Sequence, residues 1–153
     1  MSFKTVTTQQ EQSTQGLGGT KTRPELPKGT ETILLVEDEE GVREFALRIL
    51  SRLGYKVLHA PGGKDALTLI EKTSERIDIL MTDVLMPGMN GRELAELITT
   101  QHPEMKVLFT SGYTEDVFLG DGVSSGQPNF LAKPYSIHAL AKKIRDVLET
   151  PSE

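Results

Sequence analysis

The chain has no cysteine, no long apolar run and no surplus of basic residues. Without cysteine there is no disulfide framework, no thiolate zinc or iron–sulfur site and no cysteine nucleophile. No apolar run reaches the roughly 18 residues that a membrane helix needs, and the opening residues are rich in Thr and Gln, with no secretory hydrophobic segment. Seventeen Lys and Arg against 22 Asp and Glu leave a formal charge of −5, the wrong sign for gripping nucleic acid or anionic lipid through counterion release. The expectation is a cytoplasmic protein that binds neither nucleic acid nor membrane directly.

At 153 residues the chain has room for one compact domain and an appendage. In the first thirty residues only Met1, Phe3, Val6, Leu17 and Leu26 are apolar, against 19 Ser, Thr, Gln, Gly and Pro. That is too little apolar surface to offset chain entropy, so residues 1–30 are expected to form a disordered linker and residues 31–150 the folded domain. The linker carries a charge of +2, which leaves −7 on the rest. The acidity belongs to the folded part.

From Thr32 onward short β-type apolar runs alternate with segments of helical period, the pattern of βα units and a parallel sheet covered on both faces. The expected strands are Thr32–Val36, Lys56–Ala60, Ile77–Thr82, Lys106–Thr110 and Asn129–Ala132. A first helix is read from the stripe Val42, Phe45, Ala46, Ile49, Leu50 and Leu53, ended by Gly54. The last helix repeats the stripe with Ile137, Leu140, Ala141, Ile144, Val147 and Leu148, opened by Ser136 as N-cap. Helices are also expected over Ala66–Glu71 and Arg92–Gln101. Between Tyr113 and Pro128 the glycines and serines from Gly120 to Gly126 interrupt any period, so the fourth helix should be short or irregular.

Open parallel sheets bind ligands outside the carboxyl ends of their strands, so the residues following each strand carry the functional signal. Here the first strand runs into Glu37 and Asp38, the third ends in Asp83, the fourth in Ser111 and the fifth in Lys133. Each has an ordinary reading alone: Asp38 as a helix cap, Asp83 as a turn starter, Lys133 as a solvated lysine. Together they are harder to dismiss, because carboxylates about 4 Å apart repel by something like 4 kcal/mol per pair at an effective dielectric near 20. Such a cluster needs a cation, and a hard octahedral ion such as Mg²⁺ or Mn²⁺ suits oxygen donors best. A divalent ion beside a lysine also describes a site for a phosphoryl group. Other candidates fail on their own chemistry. Pro61-Gly62-Gly63-Lys64-Asp65 lacks the first glycine and the Ser/Thr of a phosphate loop, and His59, His102 and His138 are scattered without ligand spacing.

These residues carry a resemblance. The pair Glu37-Asp38, the block from Asp83 to Gly91 (Asp-Val-Leu-Met-Pro-Gly-Met-Asn-Gly), Thr110-Ser111-Gly112 and Phe130-Leu131-Ala132-Lys133-Pro134 resemble, in order, the receiver domain of two-component response regulators over roughly Glu31 to Glu149. The resemblance implies a flavodoxin-like doubly wound α/β fold with a five-stranded parallel sheet of order 2-1-3-4-5. It also implies that Asp83 is the phosphoacceptor, and that Glu37, Asp38 and Asp83 hold Mg²⁺ or Mn²⁺ together with the backbone carbonyl of Leu85. Ser111 and Lys133 would contact phosphoryl oxygens. Ser111 and Phe130 would form the switch, although phenylalanine lacks the hydroxyl of the usual tyrosine. Leu85 and Tyr113 would flank the approach of water, and both are bulky and lack a carboxylate or amide to orient it, so slow dephosphorylation is expected. The Lys133-Pro134 bond would be cis.

The implied donor is a histidine kinase or a histidine phosphotransfer protein, with a phosphorylation-dependent dimer as one form of output. The domain on its own would be an acceptor and not an enzyme. The Thr/Gln-rich leader and the run Gly-Thr-Glu-Thr-Ile-Leu-Leu-Val-Glu-Asp-Glu resemble the junction before a carboxy-terminal receiver in hybrid sensor histidine kinases, whose membrane anchor would lie in the parent protein. The competing reading is a pseudo-receiver that keeps the fold as an interaction module without phosphorylation. An aspartate-nucleophile phosphohydrolase of the haloacid dehalogenase type is excluded, because Glu40 stands where that family needs a second Asp.

Overall fold

The computed structural model describes residues 26–112 and 129–151. Most of the expected linker, the segment expected to hold the irregular fourth helix, and Tyr113 lie outside the described residues. Five parallel strands, β1 (Thr32–Val36), β2 (Lys56–Ala60), β3 (Ile79–Asp83), β4 (Lys106–Ser111) and β5 (Phe130–Ala132), form one sheet of order 2-1-3-4-5. The described helices are α1 (Glu40–Arg52), α2 (Gly63–Lys72), α3 (Gly91–Gln101) and α4 (Ile137–Glu149). This is the flavodoxin-like order that the resemblance implies.

Side-chain alternation splits the core into two layers. Ile33, Leu35, Ile79 and Met81 join α1 and α4 through Ala46, Leu50, Leu140 and Ile144. Their neighbours Leu34, Val36 and Leu80 face the other way, toward Ala66 of α2 and Leu94 and Ile98 of α3. β1 and β3 are buried along their whole length. That is why both read as continuous apolar runs rather than as alternating ones. Each fully buried Leu or Ile contributes about 1.5–3 kcal/mol, so these central strands hold the sheet edge rigid where the polar residues emerge.

The differences from the sequence reading are small and local. β3 begins two residues later than expected and includes Asp83; β4 includes Ser111. Both residues are held by the ladder rather than following it, with Asp83 in register with Thr110 and Ser111 with Ala132. β5 begins at Phe130 rather than Asn129. α2 starts at Gly63, three residues before the first apolar position of its stripe, because its opening turn is polar. α3 opens on a capping box in which the Asn90 side chain accepts from Glu93 N–H at 2.8 Å and Glu93 accepts from Asn90 N–H at 3.0 Å. Ser136 caps α4, accepting from Ala139 N–H at 3.0 Å. Among the described residues before residue 31, Leu26 packs on the α1/α4 layer and Gly29 N–H donates to Leu53 O.

Candidate functional site: an acidic cluster at the carboxyl ends of the strands

Glu37 leaves β1 with its N–H still bonded to Ala60 O at 3.1 Å, so the sheet fixes its backbone. Its side chain is almost fully buried. Oε2 accepts from Glu39 N–H at 3.1 Å, and the Glu37 carbonyl accepts from the Arg43 guanidinium at 2.8 Å. Asp38 follows, exposed. The helix-cap reading of Asp38 does not hold, because the N-cap of α1 is Glu39 and makes no side-chain cap.

Asp83 closes β3 and is buried. One carboxylate oxygen from each of Glu37, Asp38 and Asp83 comes within 4.8 Å of the others. Lys133 reaches this cluster from β5. Its Nζ lies 3.3 Å from Glu37 Oε1, 3.3 Å from Asp83 Oδ2 and 4.0 Å from Glu39 Oε1. Its backbone N–H donates to Ser111 O at 2.7 Å, locking the end of β5 against that of β4, and the Lys133-Pro134 bond is cis. The solvated-lysine reading fails, since only 12% of the Lys133 side chain is exposed.

Ser111 is fully buried at the same edge. Gly91, at the start of α3, packs so closely under Asp83 that a Cβ there would lie 2.1 Å from the Asp83 carbonyl oxygen. Leu85, two residues past Asp83, is exposed, as Asp38 is. Phe130 lies elsewhere: it is buried with the α2/α3 layer, in register with Phe109, and its surroundings are those of a core side chain. Tyr113 lies outside the described residues. Of the three histidines, His59 and His138 are exposed and His102 is half-buried, and none joins the acidic cluster.

Electrostatics match the geometry. Burial pushes the Glu37 carboxyl above its ordinary range, and Asp38 adds to this, while the Glu39 N–H and the Lys133 ammonium oppose it. Three carboxylates and one lysine leave two formal negative charges in a space under 5 Å wide. The donor set is all hard oxygen and fits a hard divalent cation.

Tyr135 is a member of this neighbourhood that sequence reasoning missed. Its hydroxyl is pushed far above the ordinary tyrosine range, by burial first and then by the negative field of Glu37 and Asp83. Its ring sits 6.1 Å from that of Phe45 on α1, tilted by 38°. Together with Val42, Lys133 and Pro134 this pair walls an open cleft of about 720 Å³ beside the cluster. The available signal was the position of Tyr135 directly after Lys133-Pro134, which carries no recognisable chemistry of its own.

A doubly wound sheet of this order, with acids after β1 and at the end of β3, a hydroxyl at the end of β4 and a lysine after β5, defines the receiver class. The sequence model of the response regulator receiver domain matches residues 33–145, and the chain belongs to that family of two-component signalling domains. It is similar to the sensor kinase CckA of Brucella abortus (strain 2308), 40% identical over 121 residues that make up 79% of this chain and 13% of the kinase. It is also similar to the response regulator receiver protein CpdR of the same organism, 32% identical over 116 residues, 76% of this chain and 95% of that protein. Among solved structures, the receiver domain from the hybrid histidine kinase CckA superposes with a TM-score of 0.63 at 36% identity, covering 77% of this chain and 99% of that domain.

Proposed function

We propose that this receiver domain accepts a phosphoryl group on Asp83 from a phosphohistidine donor, and that the modification changes its affinity for a partner. The observation that carries the reading is the convergence of Glu37, Asp38 and Asp83 within 4.8 Å, with Lys133 bridging Glu37 and Asp83 at 3.3 Å. An ionised Asp83 oxygen attacks phosphorus, the P–N bond to the donor imidazole breaks, and the imidazole leaves with the bonding pair. Lys133 and Ser111 are the groups that would meet the phosphoryl oxygens as charge builds on them. Glu37, Asp38 and Asp83, with the Leu85 carbonyl, would hold Mg²⁺ or Mn²⁺, which when bound supplies neutralising charge for the carboxylates and the incoming phosphoryl group. Ser111 would relay the change of state. The core packing of Phe130 supports a smaller role for it in the switch.

The donor on this reading is a histidine kinase or a histidine phosphotransfer protein, and the resemblance to CckA supports a receiver belonging to a hybrid kinase that works at the cytoplasmic side. Phosphorylation-dependent dimerisation is one output compatible with it. By itself the domain would be an acceptor with slow self-dephosphorylation.

Acetyl phosphate with Mg²⁺ should add about 80 Da to the intact chain, the mass of one phosphoryl group. The adduct should decay over minutes or longer, because Leu85 and Tyr113 are bulky and neither offers a carboxylate or amide to orient water. Decay in seconds overturns the slow hydrolysis; no adduct at all overturns the acceptor and leaves a pseudo-receiver. Mg²⁺ at about ten times its dissociation constant should stabilise the fold by about 1.4 kcal/mol, or roughly 5 °C in Tm. The gain should shrink as the solution is acidified, because protons compete with the metal for the carboxylate oxygens. A Tm indifferent to Mg²⁺ at pH 7 rules out metal binding at the cluster.

A further inference from the structure

Leu26 to Glu31 precede the stretch matched by the family, residues 33–145, yet they are built into the domain. Leu26 packs on the apolar layer shared by α1 and α4. Gly29 N–H donates to Leu53 O at 3.1 Å, at the end of α1. Arg145, near the end of α4, donates from Nη1 to Glu31 Oε1 at 2.8 Å and to Tyr55 Oη at 3.3 Å, and from Nε to Glu149 Oε2 at 3.0 Å. The fit is close on both sides. A Cβ on Gly29 would lie 2.4 Å from the Tyr55 ring and 2.5 Å from Arg145 Nη1. A Cβ on Gly54, where φ is +106°, would lie 2.4 Å from the Gly29 carbonyl oxygen. Only glycine allows this approach.

We propose that Leu26–Glu31 is a strap that joins the chain entering the domain to the last turns of α4, so that loosening either one loosens the other. The coupling is reciprocal because Arg145 of α4 bonds both Glu31 of the strap and Tyr55, whose ring leaves no room for a Cβ on Gly29. Its consequence follows from where α4 lies. The helix is entered through Lys133, Pro134, Tyr135 and Ser136, beside the carboxylate cluster, and ends at Arg145 and Glu149, beside the strap. Thirteen helical residues span about 20 Å. Displacement of the preceding chain therefore acts on the element that follows Lys133, and not on the strands alone. The device is independent of the phosphoryl chemistry proposed above.

Amide hydrogen exchange on the full chain tests it. Gly29 N–H should be protected in the unaltered protein, and Arg145→Ala should raise its exchange about tenfold, with Arg145→Lys recovering part of the protection. Acting from the strap side, Gly29→Ala should raise exchange at Val147 to Thr150 in the last turn of α4. Tyr55→Phe, which keeps the ring and removes the hydroxyl, should raise exchange at both places by a smaller factor and serves if the other variants fail to fold. Exchange of Gly29 at the rate of an unstructured peptide overturns the strap. Unchanged α4 amides in Gly29→Ala and Tyr55→Phe overturn the coupling.

Discussion

Asp83→Asn is expected to abolish the acetyl phosphate adduct while leaving the fold intact. The amide is nearly isosteric with the carboxylate, and Asp83 is buried at the end of β3, where shape matters most. What the change removes is the anionic oxygen that attacks phosphorus, for which an amide is no substitute. It also removes one negative charge from a cluster whose members lie within 4.8 Å of one another. Repulsion between unit charges about 4 Å apart is worth something like 4 kcal/mol at an effective dielectric near 20. The variant should therefore melt at the same temperature or higher without Mg²⁺, and gain less from adding it. Mass spectrometry and a melting curve on the same sample check both halves. A full adduct on Asp83→Asn means that another residue is the acceptor.

Lys133→Met is expected to act in the opposite sense on stability. Lys133 is 12% exposed and spans Glu37 and Asp83, each 3% exposed, with 3.3 Å contacts to both. Methionine keeps much of the apolar stem, so the change isolates the ammonium. Removing one partner from a buried ionic group leaves the rest uncompensated, at a cost of about 3 kcal/mol, or roughly 10 °C in Tm, at pH 7 without divalent metal. The pH dependence has a definite sign. Burial already holds the Glu37 carboxyl above its ordinary value of 4.5, and loss of Lys133 removes one of the groups that oppose this. A carboxyl whose folded pKa is raised destabilises the fold when ionised. The deficit is then full above the folded pKa and shrinks as pH falls through it toward 4.5. Saturating Mg²⁺ should recover part of the loss at pH 7. Phosphorylation should fall by at least about a hundredfold, as expected when a preorganised charge partner of the transferred group is deleted. A variant as stable as the parent at pH 7 without metal would show that Lys133 does not balance the cluster.

Much of this site was legible before any coordinates, because strand ends can be read locally. A short apolar run of three or four residues that gives way to polar ones places those polar residues at a sheet edge, and this was enough to single out Glu37, Asp38, Asp83, Ser111 and Lys133. The pattern failed where chemistry and periodicity diverge. Asp83 and Ser111 are polar yet belong to their strands, since the ladder to β4 and β5 continues past the last apolar residue. α2 starts on polar residues that an apolar stripe cannot see. The tie of Leu26–Glu31 to Arg145 was invisible because a segment with so little apolar content is held by hydrogen bonds and a glycine contact rather than by its own burial.

By itself, then, the sequence determined the element order and the chemical types present at the strand ends, which rest on short apolar runs and on the 3.6-residue helical period within short windows. Only the tertiary structure decided that Lys133 meets Glu37 across 96 positions of chain, that Tyr135 enters the field of the same acids, and that Arg145 holds Glu31 across 114. No local pattern contains those distances. They follow from β1 lying beside β3 at the centre of the sheet and from the two helices that pack together on one of its faces.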